Sequence, residues 1–147
     1  RFQRPRIRVI YLLDTNVLSQ VMRARPDESV AAWLRRHPIE AMATAAICQA
    51  EILYGIRRLP DGARRARLLE AAREMFAVTL GGRVLPFDAA AAEAFSLLRA
   101  AREQNGRPIL MQDAMVAATA QAHGVILATR DRDLLGCGVP VVDPWAG

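Results

Sequence analysis

Residues Ile7–Leu13 (IRVIYLL) form an almost unbroken apolar, β-branched run that stops at Asp14. Successive side chains of a strand point to opposite faces, so a strand apolar on both faces must be covered on both. Parallel sheets sandwiched between helices meet that demand. The run is also too short for a buried helix. The chain is therefore expected to build an α/β fold around a central, mostly parallel sheet.

The rest of the chain fits this expectation. Val17–Arg25 predicts a helix stopped by Pro26, and Glu28–Arg36 a second one ended by Pro38. Ala41–Ala45 predicts a short strand. Ile47–Leu59 and Gly62–Leu80 predict two helices around the turn Pro60-Asp61-Gly62. Val84–Pro86 is a brief strand. Ala89–Gln104 is a helix with Asp88 as its N-cap, and Asn105-Gly106 ends it. Asp113–His123 is a helix closed by Gly124, and Val125–Ala128 and Val139–Val142 are further strands. Strands alternating with helices or helix pairs describe one α/β domain over residues 7–147. Residues 1–6 are read as a basic N-terminal extension.

Composition narrows the chemistry. All twenty basic residues are arginine, and the net charge is +5. Without lysine there is neither a P-loop nor a Schiff-base enzyme. A phosphatase of the haloacid-dehalogenase type also needs a lysine, and a second Asp where this chain has Asn16. Arginine's planar fork suits phosphate, so the basic balance is consistent with a nucleic-acid partner. An Arg- and Ala-rich composition that merely reflects genome base composition would look the same. The two cysteines, Cys48 and Cys137, are far apart and read as reduced core thiols. Two histidines, His37 and His123, leave no inventory for a zinc site and read as structural. No apolar run approaches the ~20 residues of a membrane span, and none reads as a signal peptide. A cytoplasmic protein is expected, without a membrane partner. Four Phe, two Tyr and two Trp give poor support for a stacking platform. Arg57, Arg58, Arg64, Arg65 and Arg67 crowd the Pro60–Gly62 turn, either as a solvated helix face or as a rim for RNA or a protein partner.

Ligands of open parallel sheets bind beyond the carboxyl ends of the strands. Asp14 follows the first strand, Thr129-Arg130-Asp131-Arg132-Asp133 follows Val125–Ala128, and Asp113 opens a late helix. Each Asp also suits a helix cap. Caps need not gather on one sheet edge, however, and these three are expected to. Glu51 lies mid-helix on the face of Ile47 and Tyr54, in a segment apolar nearly all round and expected to be largely buried. A glutamate there needs a cation or metal, unless its face is solvated or an arginine such as Arg58 pairs with it. Four carboxylates in one pocket repel one another, and a divalent cation relieves that repulsion. Mg²⁺ and Mn²⁺ prefer oxygen ligands. Two such ions ~3.5–4 Å apart hydrolyse phosphodiesters without a catalytic histidine.

The stretches LLDTNVLS (Leu12–Ser19), AEILYGIRRL (Ala50–Leu59), QDAMVAATAQAHG (Gln112–Gly124), LATRDRDL (Leu127–Leu134) and GVPVVDPW (Gly138–Trp145) stand in the order found in one family. The chain resembles the PIN-domain VapC toxins, and within them the FitB-like branch, from about Val9 onward. The resemblance implies a PIN-like three-layer α/β/α sandwich. It implies that Asp14, Glu51 and Asp113 are metal-binding acids. The fourth acid falls in Thr129–Asp133, where similar proteins often read TRN-x-x-DF and this chain reads TRDRDL, one residue shorter. Asp131 is favoured, with Asp133 as the alternative or as a co-ligand. Thr15, Asn16 and Thr129 resemble residues that orient the carboxylates, and Arg130 is a candidate phosphate contact or a plain surface residue.

The same resemblance implies a metal-dependent endoribonuclease using Mg²⁺ or Mn²⁺ on structured RNA such as tRNA. It implies the toxin half of a type II toxin–antitoxin pair: a homodimer held by a VapB- or FitA-like antitoxin, which alone touches operator DNA. The competing expectation is a catalytically weak PIN-like binding module that acts through that partner.

Overall fold

A computed structural model describes residues 9–146. The extension expected at 1–6, and Ile7 and Arg8 of the first expected strand, lie outside the described residues. Within them β1 is Tyr11–Leu13, with Leu12 and Leu13 fully buried. Val9 is about half exposed, so the apolar run enters the core only near its end. Its ladder begins at Ile10, whose carbonyl accepts from Ile126 N at 3.0 Å.

The remaining strands are β2 (Met42–Ala45), β3 (Val84–Leu85), β4 (Ile126–Ala128) and β5 (Val141–Val142). They form one sheet in the order β3-β2-β1-β4-β5, and every pairing is parallel. The sheet is thus more uniform than the mostly parallel one expected. Among the described residues six α-helices accompany it: α1 (Thr15–Val21), α2 (Glu28–Arg35), α3 (Ala46–Arg57), α4 (Ala63–Glu74), α5 (Ala89–Gln104) and α6 (Met111–His123). A parallel sheet accompanied by helices is the α/β sandwich that the resemblance implies. The core gathers Leu12, Val17 and Leu18 with Met42, Leu80, Leu127 and Leu134, all at most 1% exposed.

Several expected boundaries move for local reasons. α1 starts two residues earlier than expected, because Asp14 accepts from Thr15 N and caps it there. It ends at Val21 rather than Arg25. α6 begins at Met111, so Asp113 sits in its first turn and is not its cap. The long helix expected over Gly62–Leu80 is α4 followed by a π-helical turn, Met75–Thr79. α3 is not buried all round: Tyr54 is 65% exposed, with the Arg58 guanidinium laid 5.6 Å from its ring centre. The second half of α3 lies along an open cleft on one side, while its Ile52 and Ile56 are buried in the core. α5 matches its expected span, and Asp88 caps it by accepting from Ala91 N.

Both cysteines are free and buried. His37 packs among Tyr11 and Trp33 with ring centres 4.6 and 4.8 Å away. His123 lies in the last turn of α6, its Nε2 3.2 Å from the Pro86 carbonyl. Among the described residues, no helix is long and apolar enough to cross a membrane.

Candidate active site

All five strands run the same way, so their carboxyl ends share one edge of the sheet. The chain lays β1, β2 and β3 outward in turn, then returns to place β4 on the other side of β1. Ligand crevices form at such a reversal, where the connections after two adjacent strands diverge. Asp14 directly follows β1 and Thr129 directly follows β4, one on each side of that reversal.

The two are joined. Thr129 Oγ1 donates to Asp14 Oδ2 at 2.7 Å and accepts from Asn16 Nδ2 at 3.1 Å and from Asp131 N at 3.0 Å. One buried hydroxyl thereby ties the loops after β1 and β4 together. Asp14 Oδ1 accepts from Thr15 N at 2.8 Å, and the Cys48 thiol lies 3.8 Å from it. Asp14 is buried, and burial pushes its pKa up against the opposing bonds from Thr129 and Thr15. The same burial, with Asp14 beside it, pushes the Cys48 thiol up to about 12.

Glu51 reaches the site from α3. Its Oε2 accepts from Thr15 Oγ1 at 2.8 Å, across 36 positions of sequence. Arg58 is occupied with Tyr54, and among the described residues Glu51 forms no ion pair. Asp113 comes from the first turn of α6, where the helix dipole favours a carboxylate. Even so, burial together with Asp131, Asp14, Asp133 and Glu51 raises its pKa to about 6. Asp131 Oδ1 accepts from Asp133 N at 2.9 Å and caps the short 3₁₀ turn Arg132–Leu134. Asp113, Asp131 and Asp133 each offer a carboxylate oxygen, all within 4.8 Å of one another. The tightest group therefore contains both acids between which the sequence left the fourth position open. Asp14 and Glu51 stand beside it, close enough to act electrostatically on Asp113.

The cluster fits a divalent ion chemically. Its donors are all oxygens, which suits a hard cation. Asn16 Oδ1, in the first turn of α1, is buried without a hydrogen-bond partner among the described residues, a polar atom that a group bound at the site would satisfy.

Two supports escaped the sequence reading. Arg102 of α5 is buried, and its guanidinium donates to the carbonyls of Arg107 (2.7 Å) and Asp133 (3.1 Å) and to Cys137 Sγ (3.2 Å). It clamps the loop that carries the late acids, yet in sequence it looks like any arginine of a surface helix. Arg130 lies over the Trp145 ring, 4.5 Å from its centre. The only hint of that pairing is an aromatic close to the end of the matching GVPVVDPW stretch.

Fold and site together define a parallel α/β protein with an oxygen-rich carboxylate cluster at the switch point of its sheet. The chain belongs to the PIN-domain family, whose model matches residues 11–136. It is 38% identical over 135 residues to VapC ribonuclease Y4jK of Sinorhizobium fredii, covering 91% of this chain and 96% of that protein. It is 36% identical to Toxin FitB of Neisseria gonorrhoeae over 91% of this chain and 97% of that one. A structure of FitAB bound to an IR36 DNA fragment superposes with a TM-score of 0.85 at 35% identity, over 92% of this chain and 96% of the other.

Proposed function

We propose that this protein is a divalent-metal-dependent endoribonuclease and the toxin of a type II toxin–antitoxin pair, with residues 7–147 acting as one PIN domain. The observation that carries the reading is the convergence of Asp113, Asp131 and Asp133 within 4.8 Å, with Asp14 and Glu51 alongside and no arginine paired to any of them among the described residues. Five acids held together without a cation carry a repulsive cost that a bound ion removes. Family membership and likeness to a protein named a VapC ribonuclease support the substrate class.

Asp14, Glu51, Asp113 and Asp131 hold the ions, and Asp133 shares the position of Asp131. Two Mg²⁺ or Mn²⁺ ions held there would supply charge neutralisation and Lewis acidity for phosphodiester hydrolysis. The protein's own residues set the geometry. Thr129 fixes Asp14 and the Asp131 backbone in one arrangement, and Thr15 aims Glu51. Asn16 orients the Thr129 hydroxyl, and the exposed Arg130, steadied by Trp145, neutralises substrate phosphate. Structured RNA such as tRNA is the substrate. The protein acts as a cytoplasmic homodimer, held by a VapB- or FitA-like antitoxin that carries the contact with operator DNA.

The test is cleavage of a structured RNA with Mg²⁺ or Mn²⁺ and in EDTA, by the wild type, Asp14→Asn and Asp113→Asn. Metal-dependent cleavage lost in both variants, with their folds intact by circular dichroism, is the expected result. Undiminished cleavage by folded Asp14→Asn overturns the assignment.

A further inference from the structure

Leu13, the last residue of β1, stands between two features of the fold. Its carboxyl side joins Asp14, and it lines an apolar cavity of about 160 Å³. Met42 of β2 lines the same cavity, as do Val21 and Leu34 near the ends of α1 and α2. Thr79 and Leu80, where the π-helical turn ends, and Ile39 complete it. Ile39 alone among these residues is exposed, at 45%. Protein interiors pack at close to crystal density, so a hole of this size forfeits contacts that larger side chains would make. The π-helical turn at its border is of a kind that is rare and recurs at functional sites.

The lining gives water little to hold. Thr79 is its one polar side chain. A single guanidinium, that of Arg83, donates to the carbonyls of Met42 (2.7 Å), Ile39 (2.9 Å) and Thr79 (3.4 Å). The carbonyls of Leu13, Leu34 and Leu80 accept from Thr44 Oγ1, His37 N and Arg83 N. A buried water needs about two to four polar partners, and a cavity without them stays dry. Gly81 gives the Arg83 side chain its path, because a Cβ there would stand 2.6 Å from Arg83 Nη1.

Size and chemistry select the occupant. A dry cavity of about 150 Å³ takes benzene. No charged side chain lines this one, so an ion or a phosphate would lose its hydration without compensation. A rim with one exposed residue admits a small molecule, whereas a helix or an extended segment needs an open trough.

We propose that this cavity binds a small uncharged apolar molecule, a single ring of about six carbons or its aliphatic equivalent, and that its occupant steadies the β1–α1 junction at Asp14. Leu13 is bonded directly to Asp14, and Val21 ends the helix that Asp14 caps, so an occupant touches both sides of that junction. Its bearing on catalysis rests on the nuclease reading of the carboxylate site, while binding itself does not.

The full chain, labelled with ¹³C at Ile, Leu and Val methyls and kept in EDTA, is titrated with benzene and with benzoate, the same ring carrying a charge. Benzene should shift the methyls of Leu13, Val21 and Leu34 saturably, and benzoate at equal concentration should leave them unmoved. Val21→Phe and Leu34→Phe each put a ring into the hole and should weaken benzene binding at least tenfold, with circular dichroism unchanged. Benzene should also slow hydrogen exchange of the Asp14 amide, which bonds to the Ala128 carbonyl, more than that of Val125, which bonds to Ala120. Absence of saturable shifts overturns the proposal, as do equal shifts from benzoate or undiminished binding by the variants that fold. Shifts confined to Ile52, Ile56 and Leu68 would place benzene in the cleft along α3 and overturn it too. Binding that leaves Asp14 exchange unchanged overturns the link to the junction. The titration holds no divalent ion and cleaves no RNA, so failure of benzene binding and failure of RNA hydrolysis are separate results.

Discussion

Thr129 and Asp14 stand 115 positions apart and share a 2.7 Å hydrogen bond across the switch point of the sheet. The hydroxyl is fully engaged, donating once and accepting twice. Thr129→Val keeps the shape and removes all three bonds. Each buried partner left unsatisfied costs about 1–3 kcal/mol. Stability should fall by a few kcal/mol in urea denaturation, and divalent-ion affinity should fall about 10–100-fold, as when an orienting partner of a metal ligand is lost. Thr129→Ser should recover both. A Thr129→Val protein that binds the ion like the wild type would show that the hydroxyl serves packing only.

That bond also marks the limit of what the sequence discloses. Local signals were readable: the β-branched run that becomes β1, Asp14 at its carboxyl end, and the Asp88 cap of α5. Glu51 was readable as a residue that needs a partner, because its neighbours are apolar. Its partner was not, because Thr15 arrives through the packing of α1 beside α3. The start of α6 gave no sign, since its cap, Leu110, makes no side-chain bond. The π-helical turn after α4 and the reach of Arg102 to the Asp133 carbonyl depend on tertiary packing, which no periodicity records.

Asp113 carries a pH signature. In the unfolded chain it titrates near 3.8, and in the fold at about 6. Between those values the native state holds a proton that the unfolded state has lost. This group therefore makes stability fall as pH rises from about 4 to 6, with no further change above. In EDTA, Asp113→Asn should lack that fall and melt higher than the wild type at pH 8. With Mn²⁺ the order should reverse, because only the wild type gains from the ion. Ion binding must displace that proton, so the stabilisation by Mn²⁺ should weaken as pH drops through about 6. Melting temperatures across pH 4–8, with and without Mn²⁺, decide the matter.

Arg102 serves as a strut. Its bonds join α5 to the segment Asp133–Cys137, just behind the acids. Arg102→Met keeps most of the apolar stem and strands the Arg107 and Asp133 carbonyls. A loss of about 1–3 kcal/mol for each unsatisfied group is expected. Hydrogen exchange should quicken at Leu134 and Leu135, whose amides bond to the carbonyls of Asp131 and Arg132, before it quickens in β1. Uniform quickening across the sheet would mean that Arg102 supports the whole core rather than this loop.

Cys48 lies 3.8 Å from Asp14 Oδ1, at the floor of the site, and is inaccessible to solvent. Burial and the neighbouring carboxylates hold its thiol near 12, so at pH 8 the nucleophilic thiolate is scarce as well as shielded. Cys137 is also buried and also raised, its burial outweighing the opposing effect of Arg102. Ellman's reagent should therefore leave both thiols of the native protein untouched at pH 8 and release two equivalents in denaturant. Any slow native reaction should proceed no faster than the chain opens, and should slow further when Mn²⁺ stabilises the fold. Prompt reaction of one thiol in the native protein would place it outside the core, and with Cys48 it would mean that the floor beneath Asp14 is open to solvent.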